Sequence, residues 1–263
     1  MPNTCRPWVI DHFIAPKAIL EPCRHYLEAN WKFGKAFPNT LILGGSGVGK
    51  HTLCSVLLRE LGCQPMIFHS SSLETPEDLM RAFLRAGGGR GAIGIEYIEY
   101  LGCLAAPALM EAFYVGSLVP RYPALEEPVK LPATVFATAL DYRHVPPALR
   151  DCFGLVLKLH PPDGDALAQV LAQVCQRAGG KVHTRIARRL SKWSLSRSND
   201  DPRLALAAIE EAADLARLEV SSDAHKKVRV LSRHFDKAVR LLESADAREE
   251  KDSLTRARSS CND

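Results

Sequence analysis

Apolar positions recur along this chain in two alternating rhythms. Residues 16–31 (PKAILEPCRHYLEANW) predict a helix. Thr40–Leu43 is a short apolar run that ends in glycines, as a buried parallel strand does. Leu53, Val56, Leu57 and Leu61 then return at helical spacing. Met66–Phe68 is a second strand candidate. Thr75–Leu84 predicts a helix, with a capping threonine, a proline at the first helical position and acids in the first turn. Beyond the Gly87–Gly91 breaker, Ala92–Ile95 reads as a strand and Pro107–Phe113 as a helix. Val119–Pro132 is proline-rich and polar, an excursion or hairpin, and Thr134–Ala137 and Gly154–Leu159 are strand-like. Strands alternating with helices predict an α/β fold, a parallel sheet with crossover helices.

From Pro161 the pattern changes. Asp163–Ala178, His183–Ser194 and Pro202–Leu218 are helical patterns with no convincing strand among them. Val228, Leu231, Phe235, Ala238 and Leu242, spaced 3-4-3-4, predict one further helix with an apolar stripe. The expected organisation is a core over 1–160, a small all-helical lid over 161–220 and a helical tail over 221–263 with a disordered polar end.

Composition narrows the function classes. With 263 residues, 46% of them hydrophobic, the chain can bury a full core. A net charge of +4 permits nucleic-acid contact without demanding it. Residues 225–258 mix ten Lys/Arg with six Asp/Glu, which favours a solvated helix packed by its stripe over a nucleic-acid surface. The eight cysteines form no CxxC pair and no zinc-like cluster, consistent with buried thiols in a reducing compartment. No apolar run has signal-peptide or membrane-span length, so a cytoplasmic location and no membrane partner are expected.

The strongest chemical signal is Gly44-Gly45-Ser46-Gly47-Val48-Gly49-Lys50, which fits the first seven positions of G-x-x-x-x-G-K-[ST]. A predicted strand precedes it and a predicted helix follows. The glycines let backbone N–H groups converge on phosphate oxygens, the helix adds its N-terminal dipole, and Lys50 is placed to bind β- and γ-phosphates. ATP or ADP is the expected ligand. The eighth position departs: it holds His51 where a hydroxyl should bind Mg²⁺, and Thr52 is displaced by one residue, about 100° further round the helix. Imidazole is a poor ligand for so hard an ion, so a role for Mg²⁺ is left open.

In this order the chain resembles RuvB, the AAA+ motor that drives Holliday-junction branch migration in bacteria. The resemblance runs from Arg6-Pro7 and Asp11-His12-Phe13-Ile14, through Gly44–Thr52, Met110-Glu111-Ala112-Phe113 and Leu131-Pro132, to Pro147–Gly154 and Asp201-Pro202-Arg203. It implies a P-loop AAA+ core with a helical lid and nucleotide between them. It implies Phe13 and Ile14 near adenine, and Arg203 as the lid arginine that senses the nucleotide.

The departures fall on residues that the resemblance marks as catalytic. The family's "FIDEIH" supplies an Asp for the metal and a Glu for the attacking water; the matching stretch here is Ile95-Glu96-Tyr97-Ile98-Glu99. Glu96 could serve the metal, and Glu96 and Glu99 are the remaining catalytic candidates, although Glu99 is two positions late and the strand is expected to end before it. Thr138 survives in the stretch that carries the sensor-1 residue, followed by Ala139. Cys152 stands where the family places an arginine finger that acts on a neighbouring subunit, and Arg150 lies two positions earlier.

These residues support three readings: a degenerate RuvB-like subunit that binds ATP or ADP as a structural or switching ligand; a working ATP-driven DNA helicase using Glu96 and Glu99 in unusual roles; and a clamp-loader-like subunit of a mixed ring. The third rests on the similarity of Gly49–Thr52 and the helix after it to a eukaryotic clamp-loader small subunit. Other AAA+ subunits, in a ring or hetero-complex, are the expected partners, with DNA reached through them. The roughly forty residues after the lid are too few for a winged-helix domain, so weak DNA binding by the isolated chain is expected.

Overall fold

The computed structural model describes Pro7, Gly89 and residues 9–87, 91–119, 128–197, 202–219 and 228–244. Arg6, Asp201, most of the Val119–Pro132 excursion and the last dozen residues lie outside them. The chain divides into two compact units, one of Pro7–Pro161 and one that begins at Pro162.

In the first unit a 3-10 turn at Ile10–His12 leads to α1 (Lys17–Phe33), then β1 (Thr40–Leu43), α2 (Lys50–Glu60), β2 (Ile67–His69), α3 (Pro76–Arg85) and β3 (Ala92–Glu96). After a 3-10 turn at Ile98–Tyr100 come α4 (Ala105–Val115), β4 (Ser117–Leu118), β5 (Val129–Lys130), β6 (Thr134–Ala139), α5 (Pro147–Arg150) and β7 (Leu155–Lys158). The main sheet is parallel throughout, in the order β2-β3-β6-β1-β7. The excursion is a hairpin stem in which β4 pairs antiparallel with β5. Thr75 closes the expected cap of α3 as a reciprocal capping box with Asp78.

The period-2 geometry of the strands sorts their side chains onto two helical layers. Leu41, Leu43, Ile93, Ile95, Val135, Ala137 and Ala139 join Leu79, Phe83, Leu109, Ala112 and Leu149 in one core. Ile42, Ala92, Phe136 and Leu157 join Leu20, Leu27, Leu53 and Leu57 in the other. Burial on both faces is why these strands read as continuous apolar runs rather than alternating ones. Gly94 lies in the interior strand β3, where a Cβ would stand 2.7 Å from Cys54 Sγ and 2.9 Å from Ile67 Cγ1. Gly94→Ala should therefore overpack the layer between β3 and α2 and cost about 1–3 kcal/mol. Thermal unfolding followed by circular dichroism should show a lower Tm, and an unchanged Tm would mean that this layer has slack.

The second unit contains α6 (Gly164–Arg177), β8 (Gly180–Val182), α7 (Thr184–Leu195), α8 (Arg203–Glu219), β9 (Val228–Val230) and α9 (232–244). The all-helical expectation needs correction here: β8 and β9 pair in parallel. Three-residue strands are too short for their period to register against the flanking helices. Val228 also leaves the expected helical stripe. It and Val230 are buried on one side of β9 while Arg229 is exposed, and α9 starts only after Leu231. Leu231 leaves the stripe too and is exposed, whereas Phe235 and Ala238 are buried with Leu171, Leu190 and Ile209, and Leu242 packs against them. Among the described residues no helix is long and apolar enough to cross a membrane.

Candidate functional site

The segment between β1 and α2 wraps at the carboxyl end of the sheet. Gly44, Gly47 and Gly49 have φ of 151°, 76° and 100°. At Gly44 glycine is required twice over, because a Cβ there would also lie 2.6 Å from the Leu159 carbonyl oxygen. The Gly44 N–H donates to the Ala139 carbonyl at 3.2 Å, which ties the loop to the end of β6. At Gly49 the added Cβ would meet the Phe13 ring at 3.4 Å. The buried Phe13 therefore packs against the turn into α2, while Ile14 is half-buried.

Lys50 is the first residue of α2 and is buried. Its ammonium donates to the carbonyl oxygens of Gly44 at 2.6 Å and Gly45 at 2.7 Å. Two of its three N–H donors thus shape the loop and one remains for an anion. Burial lowers the Lys50 pKa, opposed by the negative charges of Glu99 and Glu96. His51 and Thr52 follow in the first turn of α2. The His51 ring does not stand alone: Nδ1 lies 2.6 Å from Glu96 Oε1, at the end of β3.

Beyond Glu96 the chain turns sharply. Tyr97 is the sole non-glycine residue with positive φ among the described residues, at φ 55° and ψ 54°. That left-handed conformation costs a bulky side chain about 1–2 kcal/mol. It is held by a hydrogen bond from the Tyr97 N–H to Thr138 Oγ1 at 3.3 Å and by a tilted ring contact with His69, centroids 5.2 Å apart. The phenol ring lies near the ammonium, its centroid 6.0 Å from Lys50 Nζ.

This turn changes the standing of Glu99. The strand does end before it, yet the 3-10 turn carries its carboxylate to the end of β6, where Oε1 accepts the Leu140 N–H at 2.7 Å. Oε2 is buried without a hydrogen-bond partner among the described residues. The structure thus brings Lys50, Glu96, Tyr97, Glu99 and Thr138 together around the carboxyl ends of β1, β3 and β6. Sequence spacing gave no sign of the Leu140 contact, because a strand period cannot foresee a left-handed tyrosine.

Cys152 and Arg150 lie just beyond, at the end of α5. The Cys152 thiol donates to the Ala148 carbonyl at 3.3 Å, and burial raises its pKa. The Arg150 guanidinium stacks on the Tyr142 ring, 4.4 Å from its centroid. Arg203, in the second unit, is an exposed residue opening α8.

The chain is 24% identical to the Holliday junction branch migration complex subunit RuvB of Kosmotoga olearia, over 91% of this chain and 68% of that protein. It is 25% identical to the same subunit of Lactobacillus helveticus, over 83% of this chain and 63% of that protein. The solved RuvB Holliday junction branch migration motor of Thermotoga maritima superposes with a TM-score of 0.73 at 20% identity, covering 91% of this chain and 74% of that one. A point variant of it superposes with a TM-score of 0.74. The chain is thus RuvB-like in sequence and shares the fold of the RuvB motor. No protein-family model matches the chain. This RuvB-like chain spans about two thirds of the length of the relatives it matches.

A phosphate loop implies Mg²⁺, and the residues here do not fit that ion. The position that should give a hydroxyl gives an imidazole nitrogen instead, and the carboxylate at the end of β3 is engaged by that imidazole. Mg²⁺ demands hard oxygen donors in near-octahedral array. Among the described residues no three His, Cys, Asp or Glu side chains converge on a common point.

Proposed function

We propose that this chain binds ATP or ADP through Gly45–Thr52 as a structural or switching ligand, with Phe13 and Ile14 near the base. Hydrolysis is slow or absent. The chain acts as one subunit of a ring or hetero-complex of AAA+ proteins that serves DNA recombination or repair, and its partners contact the DNA. The observation that carries this reading is the built phosphate loop with its lysine, beside a tyrosine where hydrolysis needs a carboxylate. The "complex subunit" in the names of the relatives supports the assembly. Isolating the native complex and identifying its chains tests this part: another AAA+ chain is expected, and a chain found alone overturns it.

The binding should depend only weakly on Mg²⁺. Because His51 stands at the hydroxyl position, ATP affinity measured in Mg²⁺ and in EDTA should agree within about tenfold, roughly 1.4 kcal/mol. A larger gap would mean that Thr52 or Glu96 completes a working Mg²⁺ site.

A second reading has its own support in Glu99. Its carboxylate reaches the end of β6 near Lys50, so it could orient water in place of the residue at Tyr97. In that case steady phosphate release is measurable and Glu99→Gln abolishes it.

A further inference from the structure

The His51–Glu96 pair has a consequence beyond the loss of a Mg²⁺ ligand. The 2.6 Å contact with Glu96 Oε1 is made by His51 Nδ1. That leaves Nε2 as the ring nitrogen outside the contact. This is the arrangement of metal-binding histidines, which donate their other ring N–H to a carboxylate that fixes the tautomer and raises the ligand's basicity. Both members sit on regular structure, Glu96 at the end of β3 and His51 in the first turn of α2. The His51 side chain is 39% exposed and the Glu96 side chain 21%, so the histidine is the more open of the two.

We propose that this phosphate-loop site takes a borderline divalent cation, of the class of Co²⁺ and Zn²⁺, in preference to Mg²⁺, with His51 as its protein ligand and Glu96 as the group that holds the histidine. The inference rests on the nucleotide reading above, because one imidazole cannot retain an ion alone and no other cluster of three ligating side chains is present among the described residues. The remaining ligands are phosphate oxygens and water, which also supply most of the shell at ordinary phosphate loops. Imidazole nitrogen suits Co²⁺ and Zn²⁺, tolerates Mn²⁺ and is refused by Mg²⁺.

The test uses the full chain and ADP, titrated calorimetrically with Mg²⁺, with Co²⁺ and in EDTA. Co²⁺ should tighten ADP binding over Mg²⁺ by at least about tenfold more in the wild type than in His51→Thr, which restores the hydroxyl. Glu96→Gln should lose about 10–100-fold of the cobalt-dependent gain, the usual cost of removing such a supporting carboxylate. Pulsed electron paramagnetic resonance of the Mn²⁺–ADP complex should show coupling to a directly bound imidazole nitrogen in the wild type and none in His51→Thr. The same cobalt preference in both proteins, or no nitrogen coupling, overturns the inference while the nucleotide reading stands. No ADP binding under any condition, EDTA included, overturns that reading itself.

Discussion

Purified wild-type protein should release phosphate from ATP at well below about 1 s⁻¹, the lower end of the ordinary enzyme range, with or without four-way junction DNA. Hydrolysis asks for a carboxylate that orients water, a cation that neutralises developing charge and an arginine from a neighbour. Here those positions hold Tyr97, His51 and Cys152. The structure gives each a different occupation: Tyr97 packs at a tilt against the His69 ring, His51 is bound to Glu96, and the Cys152 thiol is bound to the Ala148 carbonyl. Loss of the finger alone typically costs about 10³–10⁵ in rate. Groups that act on one transition state are not additive, so Tyr97→Glu alone should stay nearly inactive. His51→Thr, Tyr97→Glu and Cys152→Arg together should regain turnover if the chain assembles with itself. Tyr97→Glu also replaces a residue held in the left-handed region, so its thermal unfolding should be measured beside its turnover. Wild-type turnover near about 1 s⁻¹ would show that Glu99 has taken over and that the degenerate reading is false.

Lys50→Ala should weaken nucleotide binding by about ten- to a hundredfold, or roughly 1.5–3 kcal/mol, the usual worth of a charge-assisted contact. The ammonium has two duties. It holds the carbonyl oxygens of Gly44 and Gly45, and it keeps one donor for the anion. Removing it costs the direct contact and leaves two loop carbonyls without their donor, so the effect should lie toward the larger end. A fluorescent nucleotide titrated against wild type and variant reads the difference; equal affinities would remove the phosphate loop from the function. Lys50→Arg separates the duties: it keeps the charge but not the compact ammonium that fits between two carbonyls.

Much of the fold was legible because burial on both sheet faces writes continuous apolar runs, and helices announce their ends. Thr40–Leu43, Thr134–Ala137 and the Thr75 cap were plain for those reasons. The phosphate loop was legible because its glycines are demanded by local backbone geometry, which needs no distant partner. Other features depended on distant parts of the chain. The parallel β8–β9 pair joins segments nearly fifty residues apart, too short for a period and invisible until they meet. The order β2-β3-β6-β1-β7 belongs to the same class, since pairing is chosen by packing and not by neighbours in sequence.

The candidate site divides in the same way. Sequence alone determined which residue types are present: a lysine after the glycines, a histidine where the loop pattern has a hydroxyl, and the tyrosine and cysteine that the resemblance to RuvB aligns with a carboxylate and an arginine. Only the tertiary structure decided what those residues do to one another. It paired His51 with Glu96 across forty-five positions, and it used a left-handed Tyr97 to bring Glu99 onto the Leu140 N–H. The physical reason is that a side chain's identity is local, whereas its hydrogen-bond partner is fixed by where two distant elements end, and at the carboxyl edge of a parallel sheet several distant elements end together.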